Sequence, residues 1–262
     1  MLQFCTLYSG STGNCSLVQT QDQKILIDAG ESAKKITEAL SSLNIAPEEI
    51  SGILVTHEHS DHVKGLGTFS KKYHIPVFAN KETWNAMPTQ LEKVEKENQK
   101  EFSFDYFSIG DITILPFSIP HDAANPCGFN LYYQDKKMSI ATDIGHMNDS
   151  IIHHLSDSSF VLLEANYEPE ILKCSSYPYL LKQRIAGPNG HLSNEAAGKT
   201  ISYLLNHGLQ NVMLGHLSKE NNFPELAYKS VVEQILENHK EEKSYQLSVA
   251  SRSAPSPVVS IG

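Results

Sequence analysis

Residues 57–62 read His57-Glu58-His59-Ser60-Asp61-His62, and no other stretch constrains the chain as much. Ahead of them runs Ile53-Leu54-Val55-Thr56, short, apolar and β-branched, behind Ser51-Gly52. That length and composition predict a buried strand. The histidines therefore lie where a strand ends and a loop begins. His57 and His59 are two apart, so in an extended chain their side chains leave on the same side. Asp61 and His62 follow after the chain has turned, and reach a second point nearby. Imidazole nitrogen and carboxylate oxygen are ordinary ligands for zinc and other divalent metals. One segment can thus serve two ions side by side. The plain alternative is a polar loop that happens to carry histidines. Four ligand-capable groups at this spacing behind a buried strand argue against it.

At 262 residues the chain is long enough for one large domain or two small ones. A hydrophobic content of 40% supplies a core. The net charge of −9 does not advertise nucleic-acid binding, and Arg184 and Arg252 are the only arginines. Lysine and backbone N–H groups can still grip phosphate. Cys5, Cys15, Cys127 and Cys174 show no C-x-x-C spacing and read as buried free thiols of a reducing compartment. Neither a signal peptide nor a run of ~20 apolar residues is visible, so a cytoplasmic protein off the membrane is expected. No protein partner can be deduced.

Leu2–Tyr8, Cys15–Val18 and Lys24–Ile27 read as an antiparallel meander. The loop Ser9-Gly10-Ser11-Thr12-Gly13-Asn14 is either a tight turn or a backbone nest for an anion. Residues 32–44 carry one apolar stripe and predict a helix. A helix over 63–73 and a strand over 75–78 follow. Residues 81–100 read as polar surface helix, and 102–107 with 112–117 as strands. A hairpin over 129–133 and 138–141 ends at Asp143, and a buried strand over 160–163 ends at Glu164. Residues 169–185 look helical despite Pro178. His191 follows the turn Gly187-Pro188-Asn189-Gly190. Helices over 194–206 and 224–237 flank a strand over 212–214 that ends before His216. A last strand over 245–250 precedes a Ser/Pro tail expected to be loose. Polar metal candidates thus recur at expected strand ends: Asp28, 57–62, His121, Asp143, Glu164, His191 and His216. The alternation of strands and helices suits an α+β, four-layer αββα sandwich, read as a single domain over 1–262.

The His-x-His-x-Asp-His stretch resembles the signature of the metallo-β-lactamase fold superfamily. The resemblance implies one metal on His57, His59 and His121 and a second on Asp61, His62 and His216, with Asp143 bridging. It implies that Asp28 lies under the site and orients ligands. Two divalent ions, Zn²⁺ or Mn²⁺, and a hydroxide between them as nucleophile are expected on that basis. His59 in place of Glu argues against the di-iron flavoprotein branch. Glu164 and His191 look like the acid–histidine pair of the phosphodiesterase branch, and only 48 positions separate Asp143 from His191, too few for a β-CASP cap.

With Ser9 to Asn14, Glu164-Ala165-Asn166, Gly190-His191-Leu192-Ser193 and Leu214-Gly215-His216-Leu217-Ser218, the chain resembles the compact YycJ/WalJ family. The implied function is a dinuclear metal-dependent phosphodiesterase, a DNA exonuclease, with nucleic acid as its partner. Asp61, Glu164 and His191 are the implied catalytic residues, His191 as donor to a phosphoryl or leaving oxygen. Ser11 and Asn14 are the expected substrate contacts. An ester, thioester or lactone hydrolase on the same ligands, an RNA-processing nuclease, and a metal-stabilised binding protein are the competing readings.

Overall fold

The fold is taken from a computed structural model that describes residues 1–238 and 244–261. Its elements run β1 (Leu2–Tyr8), β2 (Cys15–Gln19), β3 (Lys24–Ile27), α1 (Ala33–Ser42), β4 (Gly52–Leu54), α2 (Ser60–Val63), α3 (Leu66–Tyr73), β5 (Val77–Ala79), α4 (Lys81–Ala86), α5 (Pro88–Leu91) and β6 (Gln99–Glu101). The second half runs β7 (Phe107–Ile109), β8 (Ile112–Ser118), β9 (Cys127–Tyr133), β10 (Lys136–Ala141), α6 (Asp149–Leu155), β11 (Phe160–Glu164), α7 (Pro169–Cys174) and α8 (Tyr179–Ile185). It closes with α9 (Asn194–Asn206), β12 (Asn211–Gly215), α10 (Pro224–Asn238), β13 (Gln246–Val249) and β14 (Val259–Ile261).

Two mixed sheets result, ordered β14-β1-β2-β3-β4-β5-β6 and β13-β12-β11-β10-β9-β8-β7. Period-2 alternation sorts their residues into layers. Phe4, Leu54, Met138, Ile140, Phe160, Leu162 and Met213 point between the sheets. There Phe4 meets Phe160 at 4.8 Å between ring centroids. Cys5, Leu7, Ile53 and Val55 face the other way, onto α1 and α3 through Ile36, Leu40, Leu66 and Phe69. Val161, Leu163, Val212 and Leu214 face α9 and α10 through Ile201, Leu205, Val231 and Ile235. This is the expected αββα sandwich, and each fully buried large side chain adds about 1.5–3 kcal/mol.

Local departures from expectation have local causes. The surface helix expected over 81–100 is instead α4, α5 and a 3-10 turn at Lys96–Asn98 leading into β6. Met87 precedes Pro88 and leaves the α region at φ −119°, ψ 56°, as a residue before proline must. Pro178 likewise splits 169–185 into α7 and α8. The helix expected over 63–73 breaks at Gly65, where a Cβ would lie 2.0 Å from the Glu31 carbonyl oxygen. The strand expected over 102–107 is absent, and β7 begins at Phe107. The Ser/Pro tail is fixed, not loose. Val259–Ile261 pairs antiparallel with β1, and the Ser256 and Thr6 hydroxyls meet at 2.6 Å. Cys174 is exposed, whereas the other three thiols are buried as expected. Among the described residues, no helix is long and apolar enough to cross a membrane.

Candidate metal centre

Strands of both sheets stop along one edge of the sandwich, and the candidate ligands sit just past or at such ends; His191, also expected at a strand end, instead lies in the turn between α8 and α9. The first sheet contributes Asp28 after β3 and residues 57–62 after β4. The second contributes His121 after β8, Asp143 after β10, Glu164 closing β11 and His216 after β12. Asp28, Asp143 and His216 have left-handed backbones, φ 62°, 61° and 54°. Residues other than glycine enter that region at a cost, and such strain clusters at sites that need a sharply turned side chain.

The ligand-capable atoms of His57, His59 and His121 all lie within 4.8 Å of one another, and so do those of Asp61, His62 and His216. Asp143 stands between the two groups. Its Oδ2 is 3.2 Å from His62 Nε2, and its Oδ1 is 3.5 Å from His216 Nε2 and 3.7 Å from His121 Nε2. All seven expected ligands are thus brought together.

The far nitrogen of several rings is already committed, which fixes the tautomer that frees the near one. His62 Nδ1 donates to Asp28 Oδ2 at 2.7 Å, and His121 Nδ1 to the Gly190 carbonyl at 3.0 Å. His216 Nδ1 donates to Glu164 Oε1 at 2.8 Å. Thr56 holds Asp28 from above, its N–H on Oδ1 at 2.8 Å and its hydroxyl on Oδ2 at 2.9 Å. What lacks a partner is equally informative. His57 Nε2, His216 Nε2 and Asp143 Oδ2 are buried without a hydrogen bond. An unpartnered buried polar atom costs about 1–3 kcal/mol. Divalent cations on these lone pairs remove that cost, so nitrogen and oxygen donors of this kind fit them.

Charge is strongly coupled across the site. Burial alone raises the Glu164 pKa, but the His191 and His216 rings against it win and hold it at about 2. Burial alone lowers His216, but Asp143, Asp61 and Glu164 raise it to about 10. Burial and the neighbouring His62 charge push His57 well below the ordinary imidazole value.

His191 donates Nδ1–H to Glu164 Oε1 at 2.8 Å and is partly exposed. Burial works against its charge, yet Glu164 outweighs this and raises its pKa. Glu164 Oε2 meanwhile accepts from the Ile144 and Leu192 N–H groups at 2.8 and 3.0 Å. A cleft of about 310 Å³ opens over the cluster, lined by Ser11, Asp61, Asp143, His191 and His216 and by Tyr177, Leu181 and Arg184.

The two loop residues expected to touch substrate separate. Ser11 is exposed and lines the cleft. Asn14 is buried: its Oδ1 accepts from the Gly10 N–H at 3.0 Å, and its Nδ2 lies 3.3 Å from Asp61 Oδ2. It supports Asp61 rather than facing the cleft. Sequence reasoning gave no role to Asn166, whose amide donates to the His216 carbonyl at 2.8 Å. Its place two residues past Glu164 was the available signal. Arg184, beside Asp122, was also missed. In a chain with two arginines, each is a candidate for an anion site, and Arg252 also reaches this edge, donating to the Ser218 carbonyl at 3.1 Å.

The model of the metallo-β-lactamase superfamily matches residues 8–184. The exodeoxyribonuclease WalJ of Streptococcus pneumoniae is 40% identical over 236 residues, 89% of this chain and 88% of that protein. The exodeoxyribonuclease YycJ of Bacillus anthracis is 40% identical over 240 residues, 90% and 89% of the two chains. The chain belongs to the WalJ/YycJ family of the metallo-β-lactamase superfamily. Among solved structures, the metallo-β-lactamase fold protein YhfI of Bacillus subtilis matches with a TM-score of 0.72 at 14% identity, covering 97% of this chain and 99% of that one. The short form of human tRNase Z matches with a TM-score of 0.66 at 14% identity over 99% of each chain. At that identity the likeness concerns the fold alone. The WalJ/YycJ relationship spans both sheets and so includes Glu164, His191 and His216 within one continuous architecture.

Proposed function

We propose that this chain, acting as one unit over residues 1–262, is a dinuclear metal-dependent phosphodiesterase that removes nucleotides from DNA ends in the cytoplasm. His57, His59 and His121 would hold one Zn²⁺ or Mn²⁺ ion and Asp61, His62 and His216 the other, with Asp143 shared. When bound, such ions act as Lewis acids on a phosphoryl oxygen and lower the pKa of water to near neutrality.

The observation that carries the reading is the Glu164–His191 pair. His191 could join Asp143, Glu164 and His216 as a ligand, but the two proposed triads and Asp143 do not need it, and its ring lines the cleft beside them. With Nδ1 held on Glu164, Nε2 is the atom left to meet substrate. Glu164 favours the charged ring, and a proton on Nε2 would be placed to stabilise charge on a phosphoryl oxygen and to protonate the departing oxygen. Asp61, steadied by Asn14, orients the attacking water. A thioester, whose thiolate leaves without protonation, gives a positioned imidazolium less to do, and the relatives named exodeoxyribonucleases favour DNA over an ester or lactone.

The test is metal-dependent release of nucleotides from end-labelled single-stranded and duplex DNA, run beside a thioester and a lactone. Mononucleotide release from DNA is expected. Hydrolysis of the thioester or lactone with DNA left intact would overturn the reading.

A further inference from the structure

After β13 the chain crosses from one sheet to the other. The Ala250 N–H donates to the Leu214 carbonyl of the second sheet at 2.8 Å, and the Ser256 N–H to the Thr6 carbonyl of the first at 2.9 Å. Between these anchors the Ser251 N–H donates to the Ser256 hydroxyl at 2.9 Å, which closes a loop that carries Arg252. Arg252 reaches the place where two other loops meet. One is Ser9 to Asn14, and the other is Leu217-Ser218 after His216. Arg252 Nη2 donates to the Ser218 carbonyl at 3.1 Å. Its Nη1 lies against Gly10, where a Cβ would stand 2.9 Å from that nitrogen and 3.1 Å from the Leu217 carbonyl oxygen. Gly10 has φ 147°, so its backbone and its missing side chain both suit the close approach.

Nη1 is buried and donates to nothing among the described residues, and an unused charged donor is costly to bury. Arg184 is paired with Asp122, whereas Arg252 has no ion pair among the described residues. Burial works against its charge, and Glu220 is the acid that favours it. The tail does not need a guanidinium to stay in place. Ser256 meets the Thr6 hydroxyl at 2.6 Å and accepts from the Cys5 thiol at 3.0 Å without it. What Arg252 touches leads instead to the cleft. Ser11, next to Gly10, and Ser218 both line it. The Ser218 hydroxyl accepts from the Asn221 N–H at 3.2 Å, so its own hydrogen is left for another acceptor. The Ser9 hydroxyl accepts from the His216 N–H at 2.9 Å, a second tie between the two loops.

We propose that Arg252 is a positioning residue for substrate: its guanidinium clamps Gly10-Ser11 against Leu217-Ser218 and sets the separation of two serine hydroxyls that hold a substrate phosphate. The proposal rests on the phosphodiesterase reading and adds to it a residue from beyond β13. A planar fork spans both loops, which a lysine ammonium cannot do. Its charge, held behind the wall, also favours an anion on the cleft side. The contacts of Arg252 are with backbone outside the seven proposed ligands, so its loss appears in KM and not in metal content.

The metal-loaded protein is assayed on end-labelled DNA, and binding is followed separately by fluorescence anisotropy with a labelled, hydrolysis-resistant phosphorothioate duplex. Arg252→Ala is expected to raise KM and Kd about tenfold, the scale of one charged hydrogen bond, with kcat and metal content unchanged. Ser218→Ala should raise both in the wild-type background and add little in Arg252→Ala, since the two act through one contact. Unchanged KM and Kd in Arg252→Ala, fully additive losses in the double variant, or a joint loss of metal and kcat overturns the clamp. If Arg252→Ala does not fold, Arg252→Lys decides, because it keeps the charge without the fork. Raised KM and Kd in Arg252→Lys uphold the clamp, and wild-type values overturn it. Wild-type protein that binds no DNA overturns it too. If the wild-type protein binds DNA with the help of Arg252 yet releases no nucleotide, the nuclease reading fails and the clamp stands.

Discussion

His191 and His216 hang on one oxygen: each donates Nδ1–H to Glu164 Oε1 at 2.8 Å. A single buried carboxylate therefore sets the tautomer of the proposed proton donor and of a proposed metal ligand. Its other oxygen is filled by the Ile144 and Leu192 N–H groups, so the carboxylate cannot rotate without breaking backbone contacts.

That arrangement separates the two histidines by role. His191→Ala removes the ring that faces the cleft and leaves both proposed triads and Asp143 intact. It is expected to keep both ions by elemental analysis and to cut kcat on DNA about 10²-fold or more. Loss of a metal would make His191 a ligand and force reassignment of His216.

Glu164→Gln is expected to do more than weaken His191. An amide –NH₂ facing His216 Nδ1 favours the tautomer with the proton on Nε2, where a metal must bind. The sequence pairs Glu164 with His191 alone, whereas the structure gives it His216 as well. Lower metal occupancy on the His62–His216 side is expected, with about 3 kcal/mol of lost stability for a broken buried pair. Metal content and a urea melt of the metal-free protein check both. Normal occupancy with only slowed turnover would remove the shared-oxygen account.

The loop residues should now behave differently from each other. Asn14→Ala is expected to lower metal affinity or kcat, since its amide supports Asp61 from beneath. Ser11→Phe is expected to raise KM for DNA with metal content unchanged, since Ser11 lines the cleft. KM and metal titrations of the two variants give the comparison, and identical phenotypes would refute the split.

The four thiols should divide one against three. Cys15 and Cys127 are buried, and burial raises both pKa values well above the ordinary thiol range. Burial raises Cys5 to about 11. Their thiolate fraction at pH 8 is therefore very small, and the thiolate is the reactive form. Iodoacetamide on the folded protein is expected to label Cys174 alone, with all four reacting in denaturant, as peptide mass spectrometry will read. Rapid labelling of Cys15 or Cys127 would contradict the packing around β2 and β9.

The sequence by itself determined the fold class and marked the candidate ligands that the structure brings together. Period-2 and helical patterns act over a few residues, and a signature as dense as 57–62 leaves little else to consider. The ends of Leu2–Tyr8 and of Asn194–Asn206 were legible for the same reason. Only the tertiary structure decided what a side chain meets across the sandwich. Asn14 lies 47 positions from Asp61, Glu164 lies 52 from His216, and Thr6 lies 250 from Ser256. No local pattern reports such pairs, because register between sheets is set by how the core packs. The same packing brought Arg184 and Arg252 to the edge that holds the cleft, although composition alone had counted against nucleic acid.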